Sequence, residues 1–386
     1  MKKINHYLPY CLLCIGCIIS LTQCKSKKVE RVLETSSTSL LIGTYTRSEG
    51  HVDGKAVGIT LWDTSGFQST VAPVVNPSFI ALDKSQSYLY AVSETGPADG
   101  PSGVLYSYAL KNGSLLVIDS IATNGFAPCH VSVDKTGGWV FVANYMGGAI
   151  SIFRSNDGQL EQHQIISFQG SGTHPRQEAP HMHMVKLSPN EAFLYAVDLG
   201  SNMIWNFTWD KESNTFSPNP AQVSVALTDG AGPRHMDFHP NGQFVFVLNE
   251  LNSTVTVLSH DDQTGVLTSQ QEITTIPADW DGKVNQPADI HVHPSGQFLY
   301  VSNRGHNSLA IYRIEDGSQL VLIGHQATLG DYPRNFKIDP NGEKLWVANQ
   351  NTDNLVRFAI NTTSGQLSKE ENFKQVMTPV CIELLK

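Results

Sequence analysis

Apolar and polar positions alternate in short runs through most of the chain, and turn residues interrupt them at regular intervals. Met236-Asp237-Phe238 alternates, a Pro-Asn-Gly turn follows, and Phe244-Val245-Phe246-Val247 resumes as a β-rich run. Period-two alternation on both sides of such a turn predicts a hairpin. The pattern recurs: NPSFIALDKSQSYLYAVSE from Asn76, APCHVSVDKTGGWVFVANY from Ala127, HMHMVKLSPNEAFLYAVDL from His181, GPRHMDFHPNGQFVFVLNE from Gly232, QPADIHVHPSGQFLYVSNR from Gln286 and YPRNFKIDPNGEKLWVANQ from Tyr332. Anchored on the residue before the turn (Asp83, Asp134, Ser188, His239, His293, Asp339), the steps are 51, 54, 51, 54 and 46 residues. A period of this size with strand content predicts a β-propeller.

A second, more variable hairpin follows each copy, as in Gly148-Ala149-Ile150-Ser151-Ile152-Phe153 and Ser253-Thr254-Val255-Thr256-Val257-Leu258. Each repeat therefore supplies four strands, the content of one blade. At the C-terminus, Pro379-Val380-Cys381-Ile382-Glu383-Leu384 matches the start of a copy and then the chain stops, while Ser39-Leu40-Leu41-Ile42-Gly43-Thr44-Tyr45 resembles a post-turn strand. Joining the two makes a seventh blade and closes the ring without exposed strand edges. The predicted fold is an all-β, seven-bladed β-propeller closed by pairing of the N- and C-terminal strands.

Composition and termini refine this picture. With 40% hydrophobic residues over 386 positions, the chain can bury a large core, and its formal charge of −9 argues against a nucleic-acid surface. Lys2 and Lys3 precede a short apolar stretch from Leu8 to Leu21, and Leu21-Thr22-Gln23-Cys24 looks like a lipobox, with Gln23 departing from the usual small residue. The expected organisation is a lipoprotein signal peptide at 1–23, a flexible tether at 24–37 beginning at a lipidated Cys24, and the propeller at 38–386. The mature protein is expected to be exported and lipid-anchored in a bacterial cell envelope, periplasmic or at the outer membrane, and monomeric. Beyond Cys24 the mature chain has Cys129 and Cys381, two blades apart and too distant for a disulfide.

Candidate chemistry comes from departures between copies. Five residues before the anchor stand Ser78, Cys129, His183, Arg234, Ala288, Arg334 and, by analogy, Val380; eleven after it stand Glu94, Tyr145, Leu199, Glu250, Arg304 and Gln350. Structural positions in repeats tend to carry one residue type, whereas these vary and many ionise. A single Arg or Glu at a strand end is ordinarily a structural ion pair or a solvated rim. Three Arg, a His and a Glu at equivalent positions around one channel favour chemistry. Arg234, Arg304 and Arg334 suit a carboxylate, a phosphate or a developing oxyanion, and His183 and Glu250 suit proton transfer. Alignment on the preceding proline selects His181 instead of His183, and two residues apart on a strand both could face one side. His130 and His235, one residue later, are expected to be buried within blades, and His239 and His293 to face solvent at the turns. No nucleophile elbow, phosphate loop or zinc-protease motif is present in the sequence, and an Arg-lined pocket disfavours a cation, so neither a metal nor a cofactor is expected.

Taken in order, Ile42-Gly43-Thr44-Tyr45-Thr46, Asn144-Tyr145 with Gly147-Gly148, Ala179-Pro180-His181-Met182-His183, Gly232-Pro233-Arg234-His235, Asn249-Glu250-Leu251, Ser302-Asn303-Arg304-Gly305-His306 and Pro333-Arg334 resemble the seven-bladed lactonase family. That family includes propeller-type 6-phosphogluconolactonases and is related to carboxy-cis,cis-muconate cyclases. The resemblance covers residue 38 to the C-terminus. It implies catalytic roles for His183 (or His181), Arg234, Glu250 and Arg304, with His181, Arg334, Glu94 and Tyr145 as substrate-binding candidates. The implied reaction is hydrolysis of a sugar lactone, 6-phosphogluconolactone or a related aldonolactone, to the open acid. The alternatives are a non-catalytic envelope propeller that binds carbohydrate or protein, and a muconate-type lactone cyclase. The export signal favours lactone chemistry over any one substrate.

Overall fold

Each sequence copy folds as the two inner strands of a four-stranded antiparallel blade. In the computed structural model, residues 38–385 are described, apart from 51, 66 and 375. The signal peptide, tether and Cys24 lipidation expected at 1–37 lie outside the described residues. Among the described residues there is no helix, and seven blades follow one another along the chain. Blade 2 contains Phe79–Leu82, Tyr88–Ser93, Val104–Lys111 and Ser114–Ala122. Blades 3 to 7 begin with innermost strands Pro128–Val133, Met182–Leu187, Pro233–Phe238, Gln286–Val292 and Pro333–Ile338. Blade 4 adds a short strand, Ser224–Ala226, beside Met203–Asp210.

Blade 1 joins the two ends of the chain. Its innermost strand is the C-terminal Pro379–Leu385, followed outward by Ser39–Thr44, Gly58–Asp63 and Gln68–Pro73. Ser39 pairs with Leu385 and Ile42 with Ile382. The seam is packed as well as hydrogen-bonded: Trp62 of blade 1 meets Trp346 of blade 7 edge-on at 5.5 Å. Apolar side chains on facing blades build the rest of the core, as where Tyr195 and Val197 of blade 4 meet Met236 and Val245 of blade 5.

The anchors explain the regularity of the turns. Asp83 and Asp134 accept the backbone N–H five residues on, from Tyr88 at 2.7 Å and Trp139 at 2.8 Å. The two histidine anchors act differently. His239 and His293 pair through Nε2 with the carbonyls of Gly296 and Gly342, the turn glycines of the next blade, at 3.0 and 2.8 Å. His293 is buried and His239 half-buried, which corrects the expectation that both face solvent. They serve as rivets between blades.

One irregularity places the site. In the innermost pairings, Pro128 faces Asn144 but His130 faces Ala143, so Cys129 is an extra residue. The same shift leaves His183, Arg234, Arg334 and Val380 as bulged residues in blades 4, 5, 7 and 1. A β-bulge bends its strand and re-aims the side chain. The position five before the anchor varies because the bulge turns it toward the axis.

Candidate active site

Three positions of each repeat meet at one end of the channel. The first residue of a copy, the bulged residue two later and the residue eleven after the anchor are held together by backbone pairing. Glu250 N donates to Gly232 O at 2.8 Å, Tyr145 N to Ala127 O at 2.9 Å, and Gln350 N to Tyr332 O at 3.1 Å. The residue before the last of these positions is structural. Asn144, Asn249, Asn303 and Asn349 are fully buried. The side-chain amides of Asn144 and Asn249 bond within their own blades, while Asn303 and Asn349 donate to Thr275 O at 2.8 Å and Thr328 O at 3.1 Å, where the chain leaves the preceding blade.

These elements enclose a cavity of about 370 Å³ whose walls include Glu94, Tyr145, His183, Glu250, Arg304 and Arg334. Six of the eight sequence-selected site residues therefore share one space, a volume suited to a small-molecule ligand. Arg234 and His181 are not in its walls. Arg234, 3% exposed, lies beneath Glu250 with its Nε 3.0 Å from Oε2, beside a water-sized void that also touches Ser78 and His235. His181 stacks flat on the back of Tyr145, with ring centroids 4.4 Å apart, and its Nδ1 lies 3.1 Å from Tyr145 O. The bulge at His183 breaks the strand alternation, so residues 181 and 183 no longer share a face.

Glu250 is the hub. Its Oε1 takes Arg176 Nη1 at 2.6 Å, and its Oε2 lies within 3.0 Å of Arg234 and 2.8 Å of Arg304. Burial alone would raise its pKa, but Arg304, Arg176 and Arg234 outweigh that and hold the carboxyl well below the usual range. Burial and the charges of Arg304 and Arg334 in turn pull Arg234 down to about 10. Across the cavity, Arg334 donates to Tyr45 Oη, which donates to Glu94 Oε2, both at 2.9 Å. Arg304 lies over the ring of Tyr332 and donates to Gln286 O at 2.8 Å. His183 has Nδ1 3.7 Å from Cys129 Sγ, and burial, reinforced by Arg234, pushes its pKa well below the histidine range. It is a neutral imidazole in a cationic cavity.

The inner end of the cavity is plugged. Phe79 from blade 2, His130 from blade 3 and His235 from blade 5 meet on the axis, with the two imidazoles 5.6 Å apart and Phe79 5.9 Å from His235. His130 and His235 were expected inside blades. The bulge gives the residue after it an inward direction as well, so both point into the channel. His235 pairs with Asp289 of blade 6 at 3.1 Å, and His130 Nδ1 has no hydrogen-bond partner among the described residues.

This burial makes a stability prediction. Burial pushes His130 and His183 well below the usual histidine range, and burial with the Arg234 charge pulls His235 down to about 4. Unfolded, all three protonate near the ordinary value of about 6.5. Below that pH the unfolded chain binds more protons, so stability present above it falls with acidification by roughly 1.4 kcal/mol per pH unit for each imidazole. Urea midpoints should drop between about pH 7.5 and pH 5.5; a flat profile would mean that these rings are already protonated or solvated in the fold.

Sequence comparison of the copies missed Arg176, Tyr45, Tyr332 and Gln286. Tyr332 and Gln286 stand seven before their anchors, a third variable position (Asn76, Ala127, His181, Gly232, Gln286, Tyr332) that the frame contained. The prolines one residue later, at 77, 128, 233, 287, 333 and 379, were also a signal. Within strands, proline is confined to first residues, edges and bulges. Arg176 lies in the connection between blades 3 and 4, outside any repeat.

Ring and cavity together define a propeller with an enclosed, ionisable site at one end of its axis. The family model for lactonases with the seven-bladed β-propeller fold matches residues 39–384. The 6-phosphogluconolactonase of Bacillus subtilis is 32% identical over 354 residues, covering 89% of this chain and 97% of its own. That of Formosa agariphila is 33% identical over 307 residues, covering 78% and 86%. Among solved structures, the periplasmic gluconolactonase of Pseudomonas aeruginosa matches with a TM-score of 0.83 at 30% identity, covering 91% and 99%. The chain belongs to the seven-bladed β-propeller lactonase family, and it is a lactone hydrolase of the 6-phosphogluconolactonase-like kind.

Proposed function

We propose that this enzyme opens a sugar lactone, 6-phosphogluconolactone or a related aldonolactone, in the arginine-lined cavity. The observation that carries the reading is the juxtaposition of a neutral, buried His183 with Arg304, Arg334 and the arginine-clamped Glu250 around 370 Å³ of space. The names of the Bacillus, Formosa and Pseudomonas proteins support a lactone of a six-carbon sugar acid. Water attacks the lactone carbonyl while His183 takes its proton, because His183 is unprotonated and makes no ion pair among the described residues, whereas both oxygens of Glu250 are occupied by guanidiniums. The negative charge developing on the lactone offsets the cationic surroundings that otherwise disfavour the imidazolium. Arg304 and Arg334 hold the developing oxyanion. The ring C–O bond then breaks, the proton passes to the leaving ring oxygen, and one water has been added to give the open acid. Arg234 acts through Glu250 as a positioning residue, and His181 acts through Tyr145. His183→Gln should lower acid release by about 10²–10⁴-fold in a folded protein; wild-type rates in that variant would remove His183 from the mechanism.

We further propose that the enzyme works as a monomer on the envelope side of the membrane, anchored through lipid on Cys24, with 1–23 removed as a signal peptide and 24–37 as a tether. The lipobox-like Leu21-Thr22-Gln23-Cys24 supports this, as does the periplasmic designation of the Pseudomonas structure. Cys24→Ser should shift the protein from the membrane fraction to a soluble or unprocessed form. An unmodified N-terminus at Met1, found by mass spectrometry on wild type, would contradict it.

A further inference from the structure

Arg176 is the cavity residue that the repeat did not supply, and its setting is built. The connection at 168–181 is closed on itself: Gly172 N donates to Gln177 O and Gln177 N to His174 O, both at 2.8 Å. Gln177 is fully buried, and its Nε2 donates to Leu199 O at 2.8 Å. Arg176 N donates to His174 Nδ1 at 3.1 Å. The backbone is therefore fixed one residue away from a side chain that reaches over the cavity to Glu250 Oε1 at 2.6 Å and Tyr145 Oη at 3.1 Å.

Arg176 differs from its partners in exposure. Its side chain is 38% exposed, against 3% for Arg234 and 5% for Arg304, which share Glu250 with it. Arg176 is the partner that can leave: water solvates its half-exposed guanidinium, and the buried Glu250 stays paired with Arg234 and Arg304. The charge around the site is also unbalanced. In the cavity walls three guanidiniums (Arg176, Arg304, Arg334) face two carboxylates (Glu94, Glu250), with Arg234 buried beneath, in a chain whose overall charge is −9. An excess of positive charge at the mouth of a small cavity in an acidic protein calls for an anionic ligand.

We infer that Arg176 is the specificity residue for an anionic substituent on the lactone, a phosphate ester or a carboxylate, which takes the guanidinium over from Glu250 Oε1. This rests on the lactone reading of the site. The planar fork of arginine suits either group in a bidentate mode. In moving to the substituent, Arg176 leaves Oε1 of Glu250 facing the bound ring, so recognition of the remote anion also changes what surrounds the reacting carbonyl.

The test compares the full chain with Arg176→Met and Arg176→Lys on gluconolactone, 6-phosphogluconolactone and a glucarolactone, which carry no anion, a phosphate and a carboxylate. For the anionic lactone it serves, Arg176→Met should lower kcat/KM about 10- to 100-fold more than for gluconolactone, chiefly through KM. Arg176→Lys should fall between, since it keeps the charge and loses the fork. The lactone with the larger differential identifies phosphate or carboxylate as the natural group. Equal losses on all three substrates would make Arg176 only a prop for Glu250 and overturn the inference. Calorimetric binding of gluconate, 6-phosphogluconate and glucarate separates this from the enzymatic reading. If wild type turns over no lactone but binds one anionic acid more tightly than gluconate, and Arg176→Met abolishes that preference, the inference stands and the reaction is wrong. If wild type shows no preference among the acids, the inference fails.

Discussion

Glu250→Gln should cost the enzyme both its turnover and a large part of its stability. The amide keeps the shape of the carboxylate and removes the charge on which Arg176, Arg234 and Arg304 converge at 2.6, 3.0 and 2.8 Å. Arg234 and Arg304 are almost wholly buried, so they cannot recover the loss from water. Removing one partner of a buried ion pair leaves the other charge uncompensated, at about 3–5 kcal/mol. That is a large fraction of the roughly 5–15 kcal/mol that holds a typical domain folded. The released guanidiniums also lose their fixed directions, and loss of a positioned oxyanion donor lowers turnover by about 10²–10³-fold. Denaturant unfolding and acid release on one preparation check both parts, with the rate expressed per folded molecule. A variant with wild-type midpoint and rate would show that the arginines do not depend on this carboxylate.

Deletion of residues 379–386 should prevent the domain from folding. The strand Pro379–Leu385 is the innermost strand of blade 1 and is paired along its length with Ser39–Thr44. It is also tied to both neighbours: Ile382 N donates to Asn335 Oδ1 at 2.8 Å, and Lys337 pairs with Glu383 at 3.0 Å, both from blade 7. Gln86 of blade 2 donates to Leu384 O at 3.1 Å. Val380, Cys381 and Ile382 are buried; the two aliphatic side chains contribute roughly 3–6 kcal/mol together, before the exposed ladder of Ser39–Thr44 is counted. The truncated chain should be insoluble or lack a cooperative transition in a thermal melt. A soluble truncation with unchanged melting would mean that the ring does not need its closure.

The repeat made the ring legible because a blade is a local unit: alternation, a turn and a second hairpin all lie within one period. Closure was legible for the same reason, since Pro379 to Leu384 repeats the start of a copy. The walls of the site were legible where function had replaced structure at a fixed place in the repeat, as at His183, Glu250 and Arg304. Directions were less accessible. Strand alternation put His130 and His235 inside blades and grouped His181 with His183, and the bulges at Cys129, Arg234 and His183 reversed both readings. Arg234 was legible as a charged residue near the axis, but its depth beneath Glu250 depends on neighbouring blades. Arg176 was hidden because its connection has no counterpart in the other copies, and only the folded loop brings it to Glu250. The histidine anchors look like exposed turn residues until the next blade is in place to accept their hydrogen bonds.

The central claim is that this cavity opens lactones by water attack, and initial-rate acid release tests it most directly. Purified full-length enzyme would be offered gluconolactone, 6-phosphogluconolactone, further aldonolactones and muconolactones, with and without a metal chelator. The account predicts acid release from at least one sugar lactone well above its spontaneous hydrolysis, unchanged by the chelator. Rates equal to spontaneous hydrolysis across the whole panel would contradict it and favour a propeller that binds its ligand without chemistry.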